Sequence, residues 1–187
     1  TDLSIGTVGS TSGLKATTVS LTTANGNIGQ TQKITATDLT LNSNSIVQGN
    51  NIDLSLAAGN SVTNLQSASA RCATGSCSVG ASATPSLQFT NATALNLVST
   101  IDAGNGAAVF KTLTGNLTLA GSSTVLRSAL AGTAANYANA IILVAGANTA
   151  ANFVDSNNGF TSLQVSGANA RYLIYSKDAS SITLGGL

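Results

Sequence analysis

The chain has no Glu, His, Met or Trp, a single proline, and only six carboxylates, all Asp, in 187 residues. Each absence closes a class of function. Without an imidazole there is no histidine to activate a Ser or Cys nucleophile, and no Ser stands in a G-x-S-x-G elbow. Charged residues make up 7% and the net charge is +1, too little to build a field that draws nucleic acid or an anionic membrane. No glycine-rich loop ending in Lys follows an apolar run, and aspartate-rich calcium nonapeptides are missing. The longest apolar stretch, "AIILVAGANTAANFV", is interrupted by Gly, Asn and Thr and falls short of the roughly 18 residues a membrane helix needs. The expectation is a chain that is no enzyme, with no cofactor, no metal, no nucleic-acid partner and no membrane insertion. It begins without Met or a signal peptide, which points to a mature product or a piece of a longer one.

Polysaccharide-cleaving enzymes built on stacked strands work with clustered carboxylates. Here Asp2, Asp38, Asp53, Asp102, Asp155 and Asp178 are dispersed. Asp38 and Asp53 each precede an apolar strand by one residue, so stacking could bring them together around a cation. Capping a turn is the role preferred for both.

What is present is Thr, Ser, Asn, Ala, Gly, Leu, Val and Ile, a β composition rich in turns, with 43% apolar residues to supply a core. Short alternating runs recur as "DLSI", "VSL", "DLTL", "DLSL", "LNL", "NLTL" and "SLQV". Their first apolar residues, Leu3, Val19, Leu39, Leu54, Leu95, Leu117 and Leu163, suggest a period near 20 with two double steps. Between runs lie small-residue turns such as "TANGN" and "AAGN", then a second apolar point at Ile28, Ile46, Val62 or Val125. The pattern predicts an all-β fold, a right-handed parallel β-helix (β-solenoid) with coils of about 20 residues. A single segment, 1–187, of a larger exoprotein is expected.

Two stretches break the period. Residues 66–94 are expected to leave the stack as an excursion pinned by a Cys72–Cys77 disulfide, which points to an oxidising compartment. Residues 124–140 are read as irregular, with a short amphipathic helix as the alternative, since Gly132, Thr133 and two Asn oppose the helical spacing. Asn91 and Asn116 stand in N-x-T acceptor patterns and are candidate glycosylation sites.

From Asn139 the chain reads "NAIILVAGANTAANFVDSNNGFTSLQVSGANARYLIYSKDASSITLGGL". Ala140 to Gly146, Asn152 to Asp155, Gly159, Leu163, Arg171 to Ser176 and Gly185 to Leu187 together resemble the end of the haemagglutination-repeat β-helix in bacterial surface adhesins of the filamentous haemagglutinin type, where it precedes MBG-type domains. Tyr172 stands where that family usually has Trp, and Asp155 where it often has Asn. The resemblance implies two-partner secretion, with an outer-membrane partner recognised through an N-terminal domain outside this sequence, and action at the bacterial cell surface. The partners expected are a host-cell or surface receptor or glycan, or neighbouring copies of the chain.

Residues 160–187 are expected to close the stack and lead out of it. Arg171, Tyr172, Tyr175 and Lys177 are the candidate contact surface, able to stack on a ligand; covering the open end of the core is the duller role. The expected function is a structural and adhesive stalk. An ice- or carbohydrate-binding solenoid and a self-assembling extracellular filament subunit are the alternatives.

Overall fold

The structure, a computed structural model, describes residues 1–43, 51–70, 86–157, 162–178, 180 and 182–185. Every regular element among them is a β-strand. Local sequence explains why: Thr18–Thr23 alternates exposed and buried residue by residue, and Ala107–Thr112 alternates half-buried and buried. Such a pattern suits a strand with one face on a core.

Most strands form two sheets of parallel pairs, and Thr7–Val8 with Thr11–Ser12 make a small antiparallel sheet of their own. Seven strands make the first sheet in chain order: Leu3–Ile5, Ile28–Gln30, Ile52–Leu54, Ser86–Asn91, Ala107–Thr112, Ala138–Ala145 and Ala170–Ser176. Their register aligns Leu3, Ile28, Ile52, Leu87, Ala108, Ile141 and Tyr172 in one inward column. Leu54, Phe89, Phe110, Leu143 and Ile174 form a second.

The other sheet carries two further columns. Val19, Leu39, Leu65, Leu97, Leu119 and Asp155 align in one. Leu21, Leu41, Ala68, Ile101, Leu126 and Leu163 align in the other. Parallel neighbours cannot be joined by a tight hairpin. Between neighbours of the first sheet the chain therefore passes through the second sheet and returns. The inward residues of both sheets merge into one hydrophobic cluster, where each buried Leu, Ile or Phe is worth about 1.5–3 kcal/mol.

The return distances are longer than the expected 20 residues. They are 25 from Leu3 to Ile28, 24 to Ile52, 35 to Leu87, 21 to Ala108, 33 to Ile141 and 31 to Tyr172. The sequence series mixed the two sheets: Leu3 and Leu54 belong to the first sheet, Val19, Leu39, Leu95, Leu117 and Leu163 to the second. Side chains of one strand cannot reveal which sheet it joins.

Asparagine and aspartate oxygens tie one level to the next. The Asn27 backbone N–H donates to Asp2 Oδ1 (2.7 Å), Asn51 N–H to Asn27 Oδ1 (2.8 Å) and Ser86 N–H to Asn51 Oδ1 (2.7 Å). Inside the stack Asn60 and Asn91 are wholly buried. Asn60 accepts from Ile34 N–H and donates to the Leu54 and Thr90 carbonyls. Asn91 accepts from Val62 N–H and donates to the carbonyls of Val62, Thr93 and Ala94. A buried amide so fully bonded supplies corner backbone groups with partners that the ladder cannot reach.

Both irregular stretches are narrower than the sequence suggested. Residues 66–69 continue the strand Ser61–Ser69, and Ser86–Asn91 is back in register with Ile52–Leu54 and Ala107–Thr112. Ile46, Cys72, Cys77 and the remaining positions of the expected excursion between 71 and 85 lie outside the described residues, as do Gly159 and Leu187. Residues 124–140 form no helix: Leu126–Ser128 and the start of Ala138–Ala145 are strands, joined by an irregular segment. Leu126 aligns with Ile101 and Leu163 in a core column, so the helical spacing was a coincidence of strand and loop.

Candidate contact surface

The closing strand of the first sheet, Ala170–Ser176, splits the candidate residues between two faces. Tyr172 aligns with Ile141 and Ile174 with Leu143, both wholly buried, so these two continue the core columns. Tyr172 remains 40% exposed and lies over the end of its column. Alternation sends Arg171, Leu173 and Tyr175 outward instead.

Register then gives the outward residues neighbours that the sequence could not supply. Val109, Ile142 and Leu173 form one outward row, and Lys111, Val144 and Tyr175 the next. All but Tyr175 are half-buried, while Tyr175 is 53% exposed. Arg171 Nε donates to Asn139 Oδ1 on the adjacent strand (2.7 Å), and Lys177 Nζ donates to the Asn148 carbonyl (2.8 Å). The result is an apolar strip with one exposed phenol and three cationic side chains, Lys111, Arg171 and Lys177. It can stack on a flat ring and attract an anion. Sequence reasoning missed Val109, Ile142, Val144 and Lys111, because only cross-strand register brings them beside Tyr175.

The outward face of the second sheet is polar. Thr18, Asp38, Asn64, Asn96 and Thr118 form one row, which ends on Val154, and Thr22, Asn42, Ser69, Asp102, Arg127 and Gln164 another. Asp38 Oδ1 accepts from Asn64 Nδ2 (3.0 Å) and Gln66 Nε2 (2.6 Å), and Asn96 Nδ2 donates to Asn64 Oδ1 (3.0 Å). The hydrogen bonds from Asn64 and then Gln66 hold the Asp38 carboxyl below the usual carboxylate range, against a smaller opposing effect of burial.

Asp38 and Asp53 do not meet. Asp53 lies on the first sheet, with its Oδ1 accepting from the backbone N–H and the hydroxyl of Ser55, a local turn cap. The two glycosylation candidates differ in access. Asn116 is exposed, with Oδ1 accepting from Asn152 N–H. The Asn91 amide nitrogen is buried and committed to three carbonyls. Among the described residues no three His, Cys, Asp or Glu side chains converge, and no helix is long and apolar enough to cross a membrane.

Compared with family models, with curated proteins and with solved structures, the chain matches none.

Proposed function

We propose that this chain is a right-handed parallel β-helix serving as a structural and adhesive stalk segment of a secreted bacterial cell-surface adhesin, where it presents or mediates attachment. The observation that carries the reading is the unbroken inward column from Leu3 through Ile28, Ile52, Leu87, Ala108 and Ile141 to Tyr172. A stack in which each level is stabilised by its neighbours transmits length, at about 4.8 Å per level, without needing a closed catalytic pocket. The surface fits the same reading: hydroxyl and amide rows on one sheet, and the strip around Tyr175 on the other. The resemblance of the last 50 or so residues to adhesins of the filamentous haemagglutinin type points to the same compartment and to export by the two-partner route.

The test is attachment of a non-adherent bacterium that displays the chain on its surface. We expect several-fold more cells bound to cultured epithelium or to an abiotic surface with the chain than without it. A Phe110→Ala, Asn91→Ala double variant that loosens the stack should remove the gain. Equal attachment with and without the chain would overturn the proposal.

A second reading, a carbohydrate-contacting solenoid, is favoured by the row Thr18, Asp38, Asn64, Asn96 and Thr118. An ice-binding face is less favoured, because Thr18 and Thr22 are followed on the next level by Asp38 and Asn42, and among the described residues no flat Thr face is repeated.

A further inference from the structure

The outward face of the first sheet is divided by charge. Its seven strands carry three charged side chains, Asp53 on the third, Lys111 on the fifth and Arg171 on the seventh, while Asp2 and Lys177 flank the first and the last. The acids therefore lie on the early levels of the stack and the bases on the late ones. Lys111 is half-buried and the other four are exposed. Asp178, next to Lys177, has its Oδ1 engaged by the Ser180 N–H and hydroxyl.

Side-chain size is divided in the same way. One outward row carries Ser4, Gly29 and Asp53 on the first three strands, passes Gln88 on the fourth, and ends in Val109, Ile142 and Leu173 on the last three. Lys111, Val144 and Tyr175 stand one outward place further along. Gly29 has open space where a Cβ would be, so the early levels form a shallow floor and the late levels a raised apolar strip. An accessible apolar strip rimmed by charge marks an interaction surface. Asp2 and Arg171 stand at opposite ends of the preceding outward row. That row is traced by the bonds from Asp2 through Asn27 and Asn51 to Ser86, by the pairing of Ser86 with Ala107, and, past the bulge before Ile141, by the pairing of Asn139 with Arg171.

We propose that two copies of this chain pack side by side in opposite directions, first sheet against first sheet. A two-fold axis along the fourth strand, Ser86–Asn91, reverses the order of levels and keeps each position along the strand. The first strand then faces the seventh of the other copy, the second faces the sixth and the third faces the fifth. Asp2 meets Arg171 of the second copy, Ser4 meets its Leu173, and Gly29 leaves room for its Ile142. Asp53 meets Val109, with Lys111 one outward place further along. The Asp53 carboxyl is already turned in that direction, because its Oδ1 accepts from the N–H and hydroxyl of Ser55. Each contact occurs twice, as a two-fold interface requires. Apolar burial supplies the attraction, and the charges set the orientation. Rods packed in the same direction would bring each level against itself, Arg171 against Arg171 and Asp53 against Asp53, and like charges oppose that arrangement. The pairing is independent of what the chain adheres to.

The test is sedimentation equilibrium of the purified full chain over a range of concentrations, with circular dichroism to confirm that each variant folds. We expect the mass to rise with concentration from 18.4 kDa to twice that value and no further. Asp53→Lys and Lys111→Glu should each weaken self-association at least about tenfold. An equimolar mixture of those two variants should recover the dimer, since every Asp53→Lys site then faces a Lys111→Glu site and every native Asp53 a native Lys111. Gly29→Trp fills the floor without touching the core of its own chain. It should stay folded and monomeric, and it decides the matter if Asp53→Lys does not fold. A wild-type chain that stays monomeric at every concentration would overturn the proposal, as would a dimer undiminished in Gly29→Trp. Two folded charge variants that fail to associate when mixed would overturn the antiparallel arrangement.

Discussion

Phe89 and Phe110 lie side by side in register on adjacent parallel strands, both buried to within 1% of full enclosure. Leu54 precedes them in the column and Leu143 follows, so two aromatic rings stand between aliphatic side chains on that side of the core. Truncating either ring removes contacts with both neighbouring levels. We expect Phe110→Ala to cost about 3–5 kcal/mol and Phe110→Leu clearly less. Urea unfolding of the single variants and of the double with Phe89→Ala measures this, and the double should depart from additivity because the rings touch the same space.

Asn91 is the most heavily bonded corner residue, joining Val62 on one level to Thr93 and Ala94 at its own turn. Asn91→Ala would strand a buried N–H and several carbonyls, each at about 1–3 kcal/mol. Asn91→Asp should be at least as damaging, since it replaces the donor with an acceptor facing three carbonyl oxygens. Thermal melts of the two variants check the order, and a neutral Asn91→Ala would remove the corner amide from the account of stability.

Gly59 sits in the left-handed region at φ 72°, beside the next level of chain. A methyl there would lie 2.5 Å from Ala92 N and 2.8 Å from the Asn91 carbonyl carbon, both backbone atoms that cannot rotate away. Gly59→Ala should therefore cost well over about 1 kcal/mol, more than backbone strain alone. Gly29, with open space around its Cβ position, is the control, and Gly29→Ala should leave the denaturation midpoint nearly unchanged.

The Asp38 carboxyl is held below its ordinary value by Asn64 and Gln66. A depressed folded-state value means the carboxylate contributes stability that is present above the unfolded pKa of about 3.9. That contribution is lost as pH falls from there through the folded value. Asp178, lowered by the Ser180 hydroxyl and then by the Ser180 backbone N–H, acts in the same sense. We expect the urea midpoint to decline on acidification below about pH 4, and Asp38→Asn to flatten that decline. An unchanged slope in the variant would remove Asp38 from the acid response.

Alternation in runs such as Val19–Leu21, Leu39–Leu41 and Leu117–Leu119 already identified which side chains face a core, because a strand has only two faces and apolar residues take the dry one. The scarcity of charge likewise set what kind of surface the chain can present. Sequence could not say which strand lies beside which, since that depends on how far the chain travels before returning, and those distances vary from 21 to 35 residues. Only the tertiary register separated Tyr172 from Tyr175, placed Lys111 beside Val144, buried Asn91 while exposing Asn116, and set Asp155 in a column of leucines. Side-chain identity fixes a preference for water or core, while partners are chosen by backbone pairing between residues far apart in the chain.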